Sequence, residues 1–270
     1  MKMQCSTFSE DDPLSRAGKE IHLINKVDLL DRHALFFDFD GTLVELGMHP
    51  DQIKVPPRRI VQLRHVFEKI RSMAIVSGRS LDELDHFLRP LVLPTAGVHG
   101  AEIRFNNRVK LLTSNTLPKP LAEAVLRLGC EHPDIYLEKK GERAIAVHYR
   151  QAPEKGLLIR ELIDQLIQGY SGVEVIPGKY VFEVIPADIS KGNAVRAFMQ
   201  MPPFRERSPV YFGDDATDES AFEVVNEMGG MSFKIGSGST CAKYRLASVT
   251  HVDQWLEILC ASINPIRGVD

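Results

Sequence analysis

A short apolar run that ends in two carboxylates constrains the fold of this chain more than any other segment. Residues 34–37 are apolar, and Asp38 and Asp40 follow them at the turn residues Gly41 and Thr42. Because side chains alternate in direction along a strand, residues two apart point the same way. We therefore expect both carboxylates to face one small volume, which a fold tolerates when a cation separates them or one is protonated. The alternative is an ordinary polar turn, in which Asp and Gly are common.

Short apolar strands alternate with helices on both sides of this chain's middle third. Ser80 is a predicted helix N-cap with Glu83 three residues on, and Asp253 is a predicted N-cap of the last helix. This alternation predicts right-handed βαβ units and a parallel sheet. The predicted strands are residues 34–39, 73–76, 93–98, 210–212, 231–235 and 248–251, and the predicted helices are 57–71, 191–199, 217–226 and 255–259.

Residues 114–186 interrupt the alternation. They read as helix, strand, strand, helix, strand, strand, an order that predicts a small separate α+β unit with a helix-covered sheet. The chain crosses into and out of this unit near residues 113–120 and 185–190. Pro118, Pro120 and Pro186 lie at those crossings and suit defined hinges.

Composition and charge exclude several classes of protein. The net charge of −3 gives no reason to expect nucleic-acid or membrane-surface binding, and no apolar stretch approaches the roughly 20 residues that span a bilayer. Residues 1–27 lack a hydrophobic signal segment, so we expect a flexible tail on a cytoplasmic protein. No heptad pattern is present, and we expect a monomer. Four widely separated cysteines argue against a zinc site or a disulfide framework, namely Cys5, Cys130, Cys241 and Cys260.

Three further polar segments favour chemistry at the strand ends over an ordinary turn. Ser77, Gly78 and Arg79 follow a predicted strand, and a hydroxyl with free backbone N–H groups near a helix N-terminus suits a phosphate oxygen. Taken alone, this segment is more typical of an ordinary loop. Arg79 either clamps substrate or is a solvated residue at a helix start. Lys191 opens a later helix, where its charge either neutralises a phosphoryl group or lies at the surface.

The third segment is strongly acidic. Residues 213–219 read Gly-Asp-Asp-Ala-Thr-Asp-Glu, with four acids in six positions at a strand end. Carboxylate oxygens at this density suit Mg²⁺, which binds one or two carboxylates together with phosphate oxygens and water. The alternative is an acidic first helical turn, with Thr217 or Asp218 as a cap.

Together these residues suit phosphoryl transfer. Asp38 is the candidate nucleophile, because a carboxylate can attack phosphorus and form an acyl-phosphate that water then hydrolyses. Asp40 can protonate the leaving oxygen and then activate the water. Gly41 allows the backbone to approach phosphate closely. Thr42 either donates a hydrogen bond near the phosphate or is an ordinary turn residue.

The four segments, in this order, resemble the haloacid dehalogenase superfamily of phosphatases. The resemblance implies an α/β fold with a Rossmann-like parallel-sheet core, residues 28–113 and 187–270, and an inserted α+β cap domain (αββαββ), residues 114–186. It also implies that Ser77 and Lys191 hold the phosphoryl group. Its implied metal site is Mg²⁺ held by Asp38, the backbone carbonyl of Asp40 and Asp214, with Asp215 and Asp218 supporting that shell.

Finer features resemble the trehalose-6-phosphate phosphatase family, namely residues 97–102, 138–140, 146–150 and 182–184. This resemblance implies a phosphoric monoester hydrolase whose small-molecule substrate is a sugar phosphate, trehalose 6-phosphate. Glu138, Lys140 and Glu183 match cap positions that hydrogen-bond the disaccharide, the alternative being a solvated strand face. His99 and Glu102 are expected to have structural or hinge roles. The roles of His148 and Arg150 stay open between cap structure and substrate contact.

Two other functions stay in view. The same scaffold suits another sugar phosphatase or a phosphomannomutase-like phosphotransferase, which would return the phosphoryl group to its substrate. A non-catalytic sugar-phosphate sensor is a third alternative. The presence of both Asp38 and Asp40 argues against a sensor, because such a protein could lose its nucleophile and keep its fold.

Overall fold

The computed structural model of the protein describes residues 32–47 and 52–263, which form two β-sheets with helices packed on them. The predicted tail, residues 1–27, lies outside this part of the chain. The strands are β1 (His33–Phe37), β2 (Met73–Val76), β3 (Thr95–Gly97), β4 (Glu102–Phe105), β5 (Arg108–Leu111), β6 (Tyr136–Lys140), β7 (Ala144–His148), β8 (Val173–Gly178), β9 (Val181–Pro186), β10 (Ser208–Gly213), β11 (Met231–Ile235) and β12 (Tyr244–Leu246). The helices are α1 (Pro57–Lys69), α2 (Leu81–Leu88), α3 (Lys119–Glu131), α4 (Gly156–Ile167), α5 (Lys191–Met199), α6 (Glu219–Glu227) and α7 (Val249–Ile263).

The larger sheet has eight strands in the order β12-β11-β10-β1-β2-β3-β4-β5. The strands from β12 to β3 are parallel, and β4 and β5 add an antiparallel edge. Helices cover both faces of this sheet. Leu35 and Phe37 of β1 pack on one side with α1, α2 and α7, whereas Ala34 and Phe36 pack on the other side with α5 and α6. A strand buried on both faces explains the continuous apolar run in the sequence.

The order of strands locates the site. The chain leaves β1 toward β2 on one side, while β10 lies on its other side, so the strand order reverses at β1. Ligands of open α/β sheets bind in the crevice at such a reversal, outside the carboxyl ends of the strands. Asp38 follows directly after β1, Ser77 after β2 and Asp214 after β10.

A second sheet of four antiparallel strands, in the order β6-β7-β9-β8, forms the cap together with α3 and α4. One face of this sheet packs against both helices in a separate apolar cluster. The two chain crossings meet at Asp188, whose carboxylate accepts hydrogen bonds from Thr113 Oγ1 at 2.5 Å and Asn115 Nδ2 at 3.1 Å. The predicted fold class is confirmed. The domain boundaries at residues 114 and 186 and the hinge role of the prolines stay predictions.

Local differences from the predicted elements have physical causes. The hairpin β4–β5 was not predicted, because β5 is exposed along its whole length and lacks the alternation of a half-buried strand. Its turn residues, Asn106 and Asn107, have φ of 49° and 59°, as a two-residue hairpin turn requires. Among the described helices, none is long and apolar enough to cross a membrane.

The prediction that Asp253 caps the last helix is wrong, and so is the strand at residues 248–251. Helix α7 already begins at Val249, so Asp253 and residues 249–251 are helical. Asp253 instead contacts the Arg59 guanidinium, which is 2% exposed and also donates from Nε to the Leu43 carbonyl at 2.9 Å. The carboxylate therefore neutralises a buried cation on α1, a role that local sequence does not indicate. The predicted capping box of Ser80 and Glu83 is confirmed.

We expect Asp253→Asn to lower the free energy of unfolding by about 3 kcal/mol, because it leaves a buried guanidinium without its counter-charge. Arg58→Ala is the matched control. Arg58 also contacts Asp253, at 2.9 Å, but its side chain is 60% exposed, and its loss should cost less than about 1 kcal/mol. Urea unfolding followed by circular dichroism measures both values, and equal losses would contradict this account.

Candidate active site

A buried lysine links two carboxylates at the centre of the site. Lys191 is 3% exposed, and its Nζ donates to Asp38 Oδ1 at 2.7 Å and to Asp218 Oδ1 at 2.8 Å. The Tyr211 hydroxyl donates to the same oxygen of Asp218 at 2.8 Å. Burial lowers the pKa of Lys191, but the two carboxylates more than offset burial and raise it, so the ammonium stays charged. A surface position for Lys191 is therefore excluded.

Three carboxylates crowd the carboxyl ends of β1 and β10. One oxygen each from Asp38, Asp214 and Asp218 lies within 4.8 Å of the others. Burial raises the pKa of Asp38 well above its ordinary value, and burial followed by the charges of Asp218 and Asp215 raises the pKa of Asp214 to about 7. Lys191 neutralises only part of this negative charge. The donor set, three hard oxygen ligands in a partly neutralised cluster, fits a divalent cation such as Mg²⁺.

The Asp38–Gly41 turn brings the ends of β1 and β10 into direct contact. Gly41 has φ +77°, and a Cβ atom there would lie 2.1 Å from Asp214 Oδ2. Only glycine leaves space for that carboxylate beside Asp38. The Lys234 ammonium contacts the Asp214 backbone carbonyl from the neighbouring strand β11 and holds the same segment from the other side.

Arg79 holds Asp40 in place. Its Nε and Nη2 donate to the two carboxylate oxygens of Asp40 at 2.7 and 2.9 Å, and its Nη1 donates to Glu83 at 3.2 Å. Such a bidentate ion pair fixes the plane of the carboxylate as well as its position. Arg79 is only 6% exposed, which excludes a solvated helix-start residue. Its backbone N–H donates to Ser77 Oγ at 3.2 Å, so Ser77 and Arg79 form one compact loop.

The cap presents a polar row on the face opposite its helices. Glu138, Ala146 and Glu183 are paired residues of β6, β7 and β9, so their side chains lie side by side. Leu137, one residue before Glu138, points instead into the cap's apolar cluster. Lys140 lies two residues after Glu138 and therefore shares its face.

The row is an internally paired network. Lys140 Nζ lies 3.2 Å from both oxygens of Glu183, and His148 Nε2 lies 3.0 Å from Glu138 Oε2. Burial raises the pKa of Glu183, but His99 and Lys140 outweigh burial and hold it well below its usual range. Lys140 and Glu183 are buried, so a solvated strand face is excluded for these two residues.

The core and cap groups line one pocket, and the structure thereby brings together most of the residues predicted from the sequence. The predicted residues that line it are Asp38, Asp40, Ser77, Gly78, Arg79, Glu138, Lys140, Glu183, Lys191, Asp214 and Asp215. His99, His148 and Arg150 line it as well.

Some predicted residues lie at the margin of this arrangement. Thr42 is fully buried and does not line the pocket, and its hydroxyl lacks a hydrogen-bond partner among residues 32–47 and 52–263. The Asp215 carboxylate accepts from Ala216 N at 2.8 Å and from Lys179 N of the cap at 3.3 Å. Asp218 does not line the pocket either, since its oxygens accept from Lys191, Tyr211 and the Asp215 backbone.

Tyr211 and Lys234 were missed from the sequence. Each is a polar side chain inside an otherwise apolar strand, and each is buried. That pattern was the available signal, because a buried hydroxyl or ammonium requires a partner. The sequence alone does not indicate that the partners are Asp218 and the Asp214 carbonyl.

A parallel sheet with these residues at its carboxyl edge, beneath an inserted cap, defines a hydrolase of the haloacid dehalogenase-like fold. A haloacid dehalogenase-like hydrolase from Bacteroides thetaiotaomicron shares this fold with a TM-score of 0.60 at 15% identity, over 83% of this chain and 97% of that one. A trehalose-6-phosphate phosphatase related protein gives a TM-score of 0.71 at 27% identity, over 84% of this chain and 96% of that one.

Sequence comparison narrows the class to one family. The trehalose-phosphatase family model matches residues 36–250. The trehalose-6-phosphate phosphatase of Escherichia coli (strain K12) is 41% identical over 243 residues, covering 89% of this chain and 91% of that protein. The chain belongs to the trehalose-phosphatase family and is a phosphoric monoester hydrolase. The resemblance found in the sequence is confirmed.

We expect Gly41→Ala to lower phosphatase activity at least about 100-fold, because the new methyl group displaces the Asp214 carboxylate from its place beside Asp38. Gly229→Ala is the matched control, since Gly229 has φ +72° but no atom lies within 4 Å of the place that its methyl group would take. Both substitutions should cost about 1 kcal/mol of backbone strain. Phosphate release and thermal melting measure the two effects, and similar activity in both variants would contradict a role for this close approach.

Proposed function

We propose that the protein is a Mg²⁺-dependent phosphomonoesterase that hydrolyses trehalose 6-phosphate to trehalose and phosphate through an aspartyl-phosphate at Asp38. The observation that carries this proposal is the common pocket of the Asp38–Lys191 pair and the cap row of Glu138, Lys140 and Glu183. The similarity to the Escherichia coli trehalose-6-phosphate phosphatase supports the substrate. We also infer a cytoplasmic monomer, which the widely separated cysteines and the lack of heptads in the sequence support.

Two displacements at phosphorus make up the reaction. In the first, an Asp38 oxygen bonds to phosphorus as the bond from phosphorus to the sugar oxygen breaks, and Asp40 gives its proton to that oxygen. In the second, Asp40 takes a proton from water as the water oxygen attacks phosphorus. The bond from Asp38 to phosphorus then breaks, which releases phosphate and restores the Asp38 carboxylate.

The surrounding side chains prepare these steps. Burial raises the pKa of Asp38, and Lys191 offsets part of that rise, which favours the ionised nucleophile. Ser77, Gly78 and Arg79 offer a hydroxyl, a backbone without a side chain and a guanidinium to the phosphate oxygens. Arg79 also orients Asp40 until the phosphate arrives and competes for the same cation. Asp218, which does not line the pocket, holds the Lys191 ammonium in position through a hydrogen bond.

Asp38, the backbone carbonyl of Asp40 and Asp214 would hold Mg²⁺. When bound, the ion neutralises charge on the phosphate and the carboxylate cluster. Asp218 is engaged by Lys191, Tyr211 and the Asp215 backbone, which supports the outer position predicted from the sequence. The Asp215 carboxylate instead accepts from the backbone N–H of Lys179 in the cap, and its negative charge contributes to the raised pKa of Asp214.

The cap row supplies selectivity for the sugar. Glu138, Lys140 and Glu183 are paired with one another or with His148 in a largely buried place, so a ligand that displaces these contacts must replace them with hydrogen bonds to its own hydroxyl groups. A disaccharide spans more of this row than a monosaccharide does. Substrate preference therefore resides in the cap, and phosphoryl transfer resides in the core.

We expect the enzyme to release phosphate from trehalose 6-phosphate with a kcat/KM at least about 100-fold above that for glucose 6-phosphate. Asp38→Asn is the control for the nucleophile and should remove turnover of both substrates. A phosphate-release assay over a sugar-phosphate panel tests this, with chromatography of the sugar products. Equal rates for the two substrates would refute the substrate assignment, and an isomerised sugar phosphate would identify a phosphotransferase of the phosphomannomutase type.

Chelation of divalent ions should abolish turnover, and Mg²⁺ should restore it. Asp214→Asn should raise the Mg²⁺ concentration for half-maximal activity at least about tenfold. Glu219→Gln is the matched control from the same acidic segment, because its carboxylate accepts from Cys241 N at 2.8 Å and lies outside the cluster. A Mg²⁺ titration of phosphate release compares them, and an unchanged requirement in Asp214→Asn would remove this residue from the ion site.

A further inference from the structure

The turn Gly97–Gly100 connects three parts of the site. Val98 N donates to the Arg79 carbonyl and His99 N to the Ser77 carbonyl, both at 2.9 Å, so the turn is bonded to the loop Ser77–Arg79, here called the phosphate loop. Val98 and His99 have φ of 47° and 54°. Left-handed backbone is unfavourable for these residue types, most of all for β-branched valine, and consecutive residues of this kind persist only where their surroundings hold them.

The turn that contains His99 packs closely against the core on two sides. A Cβ atom on Gly78 of the phosphate loop would lie 2.5 Å from His99 Cε1. On the other side, a Cβ atom on Gly100 would lie 2.6 Å from the carbonyl oxygen of Ser190, the N-cap of the helix that begins at Lys191. The His99 ring is thus held at a fixed position relative to both phosphate-binding elements.

From this fixed position His99 reaches the cap. Its Nε2 lies 2.9 Å from Glu183 Oε1, and the two side chains are only 4% and 9% exposed. The Glu183 carboxylate also accepts hydrogen bonds from Lys140 Nζ. His99 therefore approaches this carboxylate from the core and Lys140 approaches it from the cap. Two other polar contacts between core and cap, Arg150 to the Gly47 carbonyl and Lys179 N to Asp215, involve less buried groups.

We propose that His99 is a positioning residue that sets the closed cap in register with the phosphate loop through its contact with Glu183. The proposal rests on the proposed function for the identity of the large substrate. A sugar phosphate is held at both ends, with its phosphate at the core and its sugar at the cap row. The distance between these two sites must then match the substrate, and misplacement by about 1 Å can cost about 100-fold in rate.

A small aryl phosphate separates this role from a general effect on the core. p-Nitrophenyl phosphate offers no sugar hydroxyls to the cap row, so its turnover depends on the core residues alone. His99 should therefore matter for trehalose 6-phosphate and not for p-nitrophenyl phosphate. A purely structural role in the phosphate loop would affect both substrates alike.

Two amide side chains form the test. Asn tolerates the left-handed backbone of His99 but is too short to reach Glu183, whereas Gln places an amide N–H near the position of Nε2. We expect His99→Asn to lower kcat for trehalose 6-phosphate at least about tenfold and to change kcat for p-nitrophenyl phosphate by less than about threefold. His99→Gln should retain at least about a third of the wild-type kcat. In a Glu183→Gln background, His99→Asn should add little further loss, because the two groups act as one unit.

Hydrogen exchange measured without substrate keeps this test independent of the substrate assignment. His99→Asn should speed amide exchange in residues 181–186 of β9, and His99→Gln should not. The wild-type enzyme could hydrolyse only p-nitrophenyl phosphate while the two variants differ in exchange as expected. That outcome would refute the proposed function and support the role of His99. An equal fall in turnover of both substrates, or unchanged exchange and turnover in His99→Asn, would overturn the role of His99.

Discussion

The whole site depends on the repulsion among carboxylates that the fold concentrates at one edge of its main sheet. Asp38, Asp214 and Asp218 converge because β1 and β10 are neighbouring parallel strands and both end at the same edge. Burial first, and then the neighbouring carboxylates, raise the pKa values of Asp38 and Asp214. The buried Lys191 compensates part of the charge. The negative charge that remains is of the kind that a divalent cation can neutralise.

The rest of the core supports the position of these groups. Apolar side chains on both faces of β1 lock the strand between two helix layers, so the residues that follow Phe37 have little freedom. Tyr211 and Lys234 then act from inside neighbouring strands, one on Asp218 and one on the backbone of Asp214. Rigid placement of this kind suits phosphoryl transfer, in which positioning and electrostatic stabilisation carry much of the catalysis.

Much of the fold and most of the candidate site could be predicted from the sequence, for local reasons. The apolar run before Asp38 signals a strand buried on both faces, and the rule that parallel strands end at one edge brings Ser77 and Asp214 to it. What could not be predicted depends on distant partners. Asp253 resembles a helix cap until Arg59 is seen beside it. His99 resembles a loop residue until Glu183 of the cap lies against it.

The separate apolar cluster of the cap has an evolutionary consequence. Along β6 and β9, alternate residues pack in this cluster or line the pocket, so a change at a position such as Glu138 or Glu183 alters the pocket without weakening the cluster. The crossings joined at Asp188 tie the insertion to the core at a point outside the pocket. New leaving-group preferences can therefore arise by substitution on one face of a small sheet, while the catalytic apparatus beneath it is inherited intact.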